Sequence, residues 1–257
     1  MFNRREFLKL SSIAIITSST SLSAREQIQP DEFFDEDVFV KLKYKESFSS
    51  VREKLKLIQK YIGYGNFNIV GFDDALKIAK RAPNIETFSK DELDFLESIF
   101  YYDPSSHGFF GERVTKNITD KISKKDVIKI PATGHYLFKG KPEDTYNEMV
   151  KDVGNTITLT SGVRSVIKQT KLFLDKVNST NGNITVAAKS IAPPAYTYHS
   201  ISDFDVGKKG FGHANFTSRF ALTSEFRQIK KLKYVDVRYT VNNKDGVRYE
   251  PWHIKTI

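Results

Sequence analysis

The chain has 257 residues, no cysteine and a formal net charge of +9. The lack of cysteine excludes disulfide bonds and thiolate ligands, so any bound metal must sit on histidine and carboxylate side chains. The basic excess favours an anionic partner, but no Arg/Lys stripe with interleaved aromatic residues is present, and we therefore expect no nucleic-acid partner.

The first 24 residues predict an export signal. Residues 3–9 read Asn-Arg-Arg-Glu-Phe-Leu-Lys, which is similar to the twin-arginine motif, and a weakly apolar run follows over residues 10–16. That run is too short to span a bilayer as a helix. We predict cleavage near Ser23 or Ala24, and a mature protein that is periplasmic or otherwise exported, with no stable membrane span after signal cleavage.

Residues 25–115 are predicted to be mainly helical. An acidic and aromatic segment up to about residue 45 reads as an extended lead-in. Apolar positions recur at helical spacing over 48–62, and Gly63 ends that helix. A second helix is predicted from residue 73 or 74 to residue 81.

The third predicted helix has the clearest start. Ser89 is in the N-cap position, and Glu92 three residues later completes a capping box. This helix is expected to run to about Tyr101. The helical region is either a small binding module or a cover and groove wall for the residues that follow it. The cover is favoured because the region shows no ligand chemistry.

Residues 116–257 are predicted to form an α+β domain, in which helices accompany a small antiparallel sheet. A Gly- and Ser-rich loop over 105–112, in which His107 is read as a surface residue, precedes this domain. The pattern predicts helices over 144–150, 166–177 and 218–232, strands over 156–160 and 184–188, and a hairpin of 234–241 with 247–254.

Two stretches near the C-terminus carry metal-site chemistry. His199 is followed by Asp203 and Asp205, four and six residues on, and Glu250 precedes His253 by three residues. Two imidazoles and one carboxylate hold Zn²⁺ with one coordination position open for water. A second carboxylate beside that water can accept its proton.

Three blocks together resemble a known family. The Glu-Pro-Trp-His block follows a His-x₅-Asp-Val-Gly segment, and residues 161–169 read Ser-Gly-Val-Arg-Ser-Val-Ile-Lys-Gln upstream of both. This order resembles the M15 zinc peptidases, the VanY-like D,D- and L,D-carboxypeptidases of bacterial cell walls, over about residues 130–257. The resemblance implies the D-Ala-D-Ala peptidase fold, which is shared with hedgehog and lysostaphin-type domains.

The resemblance also assigns roles. It implies that Zn²⁺ is bound by His199, Asp205 and His253, and that Glu250 is the general base. It also implies that three residues serve the substrate, namely Arg164, Gln169 and Ser161. Arg164 is expected to stabilise the oxyanion or bind a substrate carbonyl or carboxylate, and a surface salt bridge is the alternative role for it. Trp252 is expected to pack beneath the metal.

The second zinc ligand departs from the family pattern, which places the aspartate seven residues beyond the histidine. Asp205 lies six beyond His199, and Asp203 lies four beyond. The two aspartates would face the same side of a strand, so strand parity does not separate them. A one-residue deletion in the connecting loop favours Asp205. Of the remaining histidines, His135 is read as structural and His213 as able to line the cleft.

These features predict an exported, monomeric zinc carboxypeptidase that removes the terminal D-amino acid from peptidoglycan stem peptides. Two alternatives keep the fold. One is an endopeptidase that cuts peptidoglycan cross-bridges, and the other is a non-catalytic wall-binding module.

Overall fold

A computed structural model describes residues 37–256, so the predicted signal peptide lies outside the described residues. The described residues form eight α-helices, namely α1 (Lys45–Ile62), α2 (Tyr64–Phe67), α3 (Phe72–Arg81), α4 (Lys90–Tyr101), α5 (Lys141–Val153), α6 (Val166–Ser179), α7 (Ile184–Ala188) and α8 (Ser224–Ile229). They also form six strands, namely β1 (Val127–Lys129), β2 (Tyr136–Phe138), β3 (Ile157–Ser161), β4 (Phe204–Lys208), β5 (Asp236–Val237) and β6 (His253–Lys255).

The three helices predicted before residue 115 are confirmed. Helix α1 ends at Gly63, whose φ of 85° is a conformation that glycine adopts without strain. Helix α4 begins with the predicted capping box: the Glu92 amide donates to Ser89 Oγ at 3.2 Å, and the Ser89 amide donates to Glu92 Oε2 at 2.7 Å. Helix α2 is a short addition that the pattern did not predict.

A shared apolar core joins the N-terminal helices to the later part of the chain. Val51, Leu55 and Phe95 of α1 and α4 pack in one cluster with Phe173 and Leu174 of α6. Residues on both sides of the predicted boundary near residue 115 therefore contribute to this core. The division into 25–115 and 116–257 stays a prediction.

The second core lies behind a four-stranded antiparallel sheet with the strand order β3-β4-β6-β5. Phe204 and Val206 of β4 and Ile254 of β6 are buried in it. Strands β4 and β6 pair so that Phe204 lies opposite Ile254 and Asp205 opposite His253. A separate two-stranded sheet pairs β1 with β2. The predicted α+β class, with a small antiparallel sheet and a mainly helical N-terminal region, is confirmed.

Residues 184–188 are a helix, and the predicted strand is wrong. All five side chains of α7 are buried, so the run has no polar face from which a helical period could be read. The Asn183 side chain caps the helix by accepting a hydrogen bond from the Val186 amide at 2.9 Å.

Two other predicted elements are shorter than expected. The helix predicted over 218–232 is divided into a 3₁₀ segment, Ser218–Leu222, and α8. Thr223 separates the two because its hydroxyl accepts from the Phe226 amide at 3.1 Å and starts a new helix there. The C-terminal hairpin pairs only β5 with β6, although the Glu250 amide also donates to the Tyr239 carbonyl at 2.9 Å.

None of the helices within 37–256 is both long enough and apolar enough to cross a membrane.

Candidate active site

Three side chains from separate elements meet in a group that can hold a metal ion. His199 comes from the 3₁₀ segment Tyr198–Ser200, Asp205 from β4 and His253 from the start of β6. Asp205 Oδ1 lies 3.3 Å from His199 Nε2 and 3.5 Å from His253 Nδ1. The β4–β6 register produces the second distance, since residues directly opposite on paired strands have adjacent side chains.

Hydrogen bonds on the outer side of each ring orient the two imidazoles. His199 Nδ1 donates to the Gly162 carbonyl at 2.9 Å, which leaves Nε2 as the acceptor nitrogen. His253 Nε2 donates to Asp203 Oδ2 at 3.1 Å, which leaves Nδ1 facing Asp205. Metal-binding histidines in proteins are usually held in this way, with the second ring nitrogen donating to a carbonyl or carboxylate.

The inner atoms of the cluster lack partners among the described residues. His199 Nε2 and Asp205 Oδ1 are buried and make no hydrogen bond within 37–256. A buried polar atom without a partner costs about 1–3 kcal/mol, so such atoms require an explanation. A bound cation provides one, and two imidazoles with one carboxylate form a donor set of a catalytic zinc site.

Burial and nearby charges shift the pKa values of His199 and Asp205. Burial lowers the pKa of His199 to about 4, and the charge of Arg164 acts in the same direction. Burial opposes ionisation of Asp205, but the charges of His199 and Arg164 outweigh it and hold the pKa of that carboxyl well below its usual range. At neutral pH, His199 is therefore neutral and Asp205 is anionic.

The pKa of His253 moves the other way. Burial lowers it, but the hydrogen bond to Asp203 and the proximity of Glu250 and Asp205 outweigh burial, and the pKa rises to about 9. His253 therefore gives up a proton when a cation binds to its Nδ1.

Glu250 lies beside the cluster and is not one of its three ligand residues. A turn at Pro251 and Trp252, closed by the His253 amide donating to the Glu250 carbonyl at 3.1 Å, brings both side chains to the same side. Glu250 Oε2 is then 3.6 Å from His253 Nδ1. The turn is needed for this arrangement, because residues three apart in a regular strand face opposite sides.

Arg164 contacts a predicted zinc ligand directly. Its guanidinium donates to Asp205 Oδ2 at 2.6 Å, to Ser161 Oγ at 2.9 Å and to Gln169 Oε1 at 3.4 Å. Gln169 itself is fully buried, and its amide donates to the Ala192 carbonyl at 2.6 Å. Ser161 lines the cavity, whereas Gln169 holds Arg164 from behind.

Gly162 is required at the turn that carries Arg164. A Cβ at this position would lie 1.9 Å from the Tyr136 carbonyl oxygen, and the neighbouring Val163 amide donates to that same oxygen at 2.7 Å. The close approach of β2 to this turn explains the Ser-Gly pair of the block in physical terms.

A cavity of about 280 Å³ opens onto the cluster. Its polar residues include Glu250, Arg164, His199 and His253. Its apolar walls include Leu172, Ile191, Ala192 and Val247, and Trp252 also lines it. The site thus combines a group that can hold a metal, a second carboxylate and room for a short peptide.

The three remaining histidines lie in different surroundings, and only one of them lines the cavity. His213 is exposed and does not line the cavity, contrary to expectation. His107 is buried and stacked on Tyr102 at 5.5 Å, so the surface assignment is wrong. His135, which was read as structural, lines the cavity.

Sequence reasoning missed two contributors. Arg238 pairs with Asp203 through both Nε and Nη2, and so holds the carboxylate that orients His253. Lys168 lines the cavity from the first turn of α6, four residues beyond Arg164. The signal for Lys168 was available, since it belongs to the Ser161–Gln169 block; nothing local to Arg238 marked it.

Comparison with protein families gives one match. Residues 143–256 match the model of the VanY family, described as D-alanyl-D-alanine carboxypeptidase. The match contains the three-residue cluster, Glu250 and Arg164, and it confirms the resemblance drawn from the three sequence blocks. No curated protein sequence matches the chain.

The solved structures that match the chain are distant from it. VanYB in complex with D-alanine-D-alanine is 19% identical, with a TM-score of 0.39, covering 51% of this chain and 76% of the other. The LdcB LD-carboxypeptidase is 22% identical, with a TM-score of 0.40, covering 61% and 70%. A mutant of the vancomycin-resistance D,D-pentapeptidase VanY in complex with Zn(II) is 20% identical, with a TM-score of 0.37, covering 51% and 77%.

Proposed function

We infer from the match over residues 143–256 that this part of the chain is a VanY-like peptidase domain, and we propose that the protein is a zinc carboxypeptidase that removes the terminal D-amino acid from peptidoglycan stem peptides. The observation that carries the proposal is the buried group of His199, Asp205 and His253, with Glu250 at its edge. A non-catalytic wall-binding module would need neither the unpartnered ligand atoms nor the carboxylate beside them.

The three ligand residues fit Zn²⁺. The unpartnered atoms His199 Nε2 and Asp205 Oδ1 lie 3.3 Å apart, and His253 Nδ1 lies 3.5 Å from the same Asp205 oxygen. The other nitrogens of the two rings donate to the Gly162 carbonyl and to Asp203. In such a site, Zn²⁺ supplies Lewis acidity, which lowers the pKa of water and polarises a carbonyl.

Glu250 is assigned as the general base and acid. Its carboxylate is buried and lines the cavity beside His253. A carboxylate placed there can accept a proton from the attacking water and deliver it to the amine of the leaving residue. Arg248 Nε lies 3.7 Å from Glu250 Oε1, on the more exposed side.

Arg164 is assigned to the substrate carbonyl or carboxylate. It contacts Asp205 and borders the cavity, so its remaining donors can point at a bound peptide. A guanidinium has five donors in a planar fork, and the contacts to Asp205, Ser161 and Gln169 leave donors free for the substrate. Ser161 and Gln169 hold this fork in place.

A digest of defined muropeptides tests the proposal. Purified protein loaded with zinc is incubated with tetrapeptide, pentapeptide and cross-linked muropeptides, and the products are identified by mass spectrometry. Loss of one terminal D-alanine from the pentapeptide supports a D,D-carboxypeptidase, and loss from the tetrapeptide alone an L,D-carboxypeptidase. Cleavage of the cross-link alone would replace the proposal by the endopeptidase, and no product from any muropeptide would overturn catalysis.

Export and the helical region belong to the same proposal. Residues 3–9 supply the twin-arginine motif, and a peptidoglycan substrate lies outside the cytoplasm. Replacing both Arg4 and Arg5 by lysine should leave the protein in the cytoplasm, as followed by fractionation.

The N-terminal helices, which share a core with α6, serve as a wall behind the catalytic part. All assigned residues come from one chain, so the proposal needs no second copy.

A further inference from the structure

Lys168 is a cation in the cavity without a carboxylate partner among residues 37–256. Lys168 and Leu172 lie four residues apart on one face of α6, Arg164 lies two residues before the start of that helix, and all three side chains line the cavity. Within residues 37–256, Lys168 Nζ makes no hydrogen bond or ion pair, and its ring contact is Phe67 at 6.0 Å. Burial and the charges of Arg164 and Lys171 lower its pKa to about 8.

The other charges near Lys168 are already engaged. Arg164 is bound to Asp205 at 2.6 Å, and Arg248 lies near Glu250. Asp175, the acidic residue on the same helix, accepts from Lys171 at 2.5 Å and from Arg52 at 3.2 Å. The cavity therefore holds a positive charge in excess at Lys168.

Two unpartnered polar atoms line the same cavity. His135 Nδ1 and Thr160 Oγ1 are buried and have no hydrogen-bond partner in the described part of the chain. Burial, together with the nearby charges of Lys168 and Arg164, lowers the pKa of His135 to about 4. A neutral imidazole and a hydroxyl can each donate one hydrogen bond.

We propose that Lys168, His135 and Thr160 form a carboxylate-binding subsite for the peptide substrate. The assignment rests on the proposed function. A peptide presents its negative charge as carboxylates, and an ammonium with two neutral donors satisfies such a group. The apolar walls at Leu172 and Ile191 accommodate a small side chain beside it.

Chain length limits the distance between the subsite and the scissile bond. Lys168 lies four residues beyond Arg164, which contacts Asp205 and precedes the first residue of α6, so the two Cα atoms are at most about 14 Å apart. An extended peptide advances about 3.3 Å per residue, so the carboxylate belongs to a residue within about four positions of the scissile bond. Two sources satisfy this: the C-terminal carboxylate of the leaving residue, or the carboxylate of an acidic side chain next to the bond.

The test compares Lys168→Met with wild type on three synthetic peptides of one sequence ending in D-Ala-D-Ala. The first has a free C-terminus and an acidic side chain, the second has an amidated C-terminus, and the third has the acidic side chain as a carboxamide. Lys176→Met, on the same helix but away from the cavity, is the matched control. Zinc content and circular dichroism establish that each variant is folded.

For Lys168→Met we expect KM for the first peptide to rise roughly 10- to 100-fold, as for a lost hydrogen bond to a charged group, with kcat changed less than about twofold. Lys168→Arg should recover most of this loss. Insensitivity of the amidated peptide to Lys168→Met assigns the terminal carboxylate, and insensitivity of the carboxamide peptide assigns the acidic side chain. An equal effect of Lys168→Met and Lys176→Met on every peptide would overturn the subsite.

Calorimetric titration of the same peptides separates this proposal from the proposed function. If peptide binding depends on Lys168 but the wild type does not hydrolyse the peptide, the subsite is supported and the carboxypeptidase proposal is wrong. If the peptide is hydrolysed and neither binding nor hydrolysis depends on Lys168, the carboxypeptidase proposal is supported and the subsite is wrong.

Discussion

Replacing Asp203 and Asp205 in turn distinguishes a ligand from the residue that positions one. Asp205 Oδ1 faces both histidines, whereas Asp203 accepts from His253 Nε2, from Arg238 and from the Thr256 amide at 3.0 Å. We expect Asp203→Asn to keep one zinc per chain with about 10- to 100-fold weaker affinity, which is the usual effect of removing an outer partner. Asp205→Asn should weaken zinc binding beyond the upper end of that range.

These factors correspond to about 1.4–2.8 kcal/mol for Asp203→Asn, at about 1.4 kcal/mol per tenfold. Stability is expected to fall as well, because Asp203 and Arg238 form an ion pair in which both side chains are mostly buried. Breaking a buried ion pair by removing one of its partners costs up to about 3–5 kcal/mol. The double variant Asp203→Asn/Arg238→Met should regain part of that stability without regaining zinc affinity.

The assay is zinc competition against a chromophoric chelator at fixed pH, at a temperature where circular dichroism shows each variant folded. Asp236→Asn, an exposed residue on β5, controls for loss of one negative charge. Weaker zinc binding in Asp203→Asn than in Asp205→Asn would show that Asp203 is the ligand. Equal affinities in all three variants would refute both assignments.

Three further predictions concern other parts of the molecule. Glu250→Gln should bind zinc normally and turn over at least roughly 100-fold slower, as measured by single-turnover peptide hydrolysis; loss of its zinc would make Glu250 a ligand. Gly162→Ala should cost about 3 kcal/mol or more in urea unfolding because its Cβ meets the Tyr136 carbonyl at 1.9 Å, while Gly65→Ala, with its nearest atom at 3.4 Å, should change stability by less than about 1 kcal/mol. Lys54→Met breaks a buried ion pair with Glu92 at 2.7 Å and should cost about 3–5 kcal/mol, against less than about 1 kcal/mol for the exposed Lys56→Met. Burial raises the pKa of Glu92, but the hydrogen bonds from Lys54 and Ser89 outweigh burial and lower the pKa below its ordinary 4.5. The stability that the ionised Glu92 contributes to the wild type is therefore fully present above pH 4.5. The difference in unfolding free energy between wild type and Lys54→Met should shrink as the pH falls through the lowered pKa.

Local signals predicted the parts of the fold whose causes are themselves local. The Ser89 and Glu92 capping box and the end of α1 at Gly63 depend on residues a few positions apart, and the structure has both. The strand predicted over 184–188 was wrong because a short buried helix and a buried strand are both apolar on every side. The single helix predicted over 218–232 was wrong because the Thr223 side chain competes with the backbone for a hydrogen bond and divides it.

The site was predictable only as far as its motifs reached. The motifs selected Asp205 beside the two histidines, and the structure places those three residues together. They carried no information on Arg238, whose role arises from its pairing with Asp203, 35 residues earlier in the chain. Nor could spacing alone have shown that His135 enters the cavity, because β2 is brought there by the close contact at Gly162.

The strand register explains why Asp203 and Asp205 cannot exchange roles despite facing the same side. Asp203 would come opposite His253 only if β4 slipped by two residues, and Phe204 would then lose its position opposite Ile254 in the core. Such a slip would also move Asp203 away from Arg238 and break their buried ion pair. If Asp205 is the ligand, as predicted, the residue missing from the family spacing falls before the strand, in the turn where the Ser202 and Asp203 amides both donate to the Tyr198 carbonyl at 2.9 and 3.1 Å. A shortened turn leaves β4 in register, and His253 keeps Asp205 at its Nδ1 and Asp203 at its Nε2.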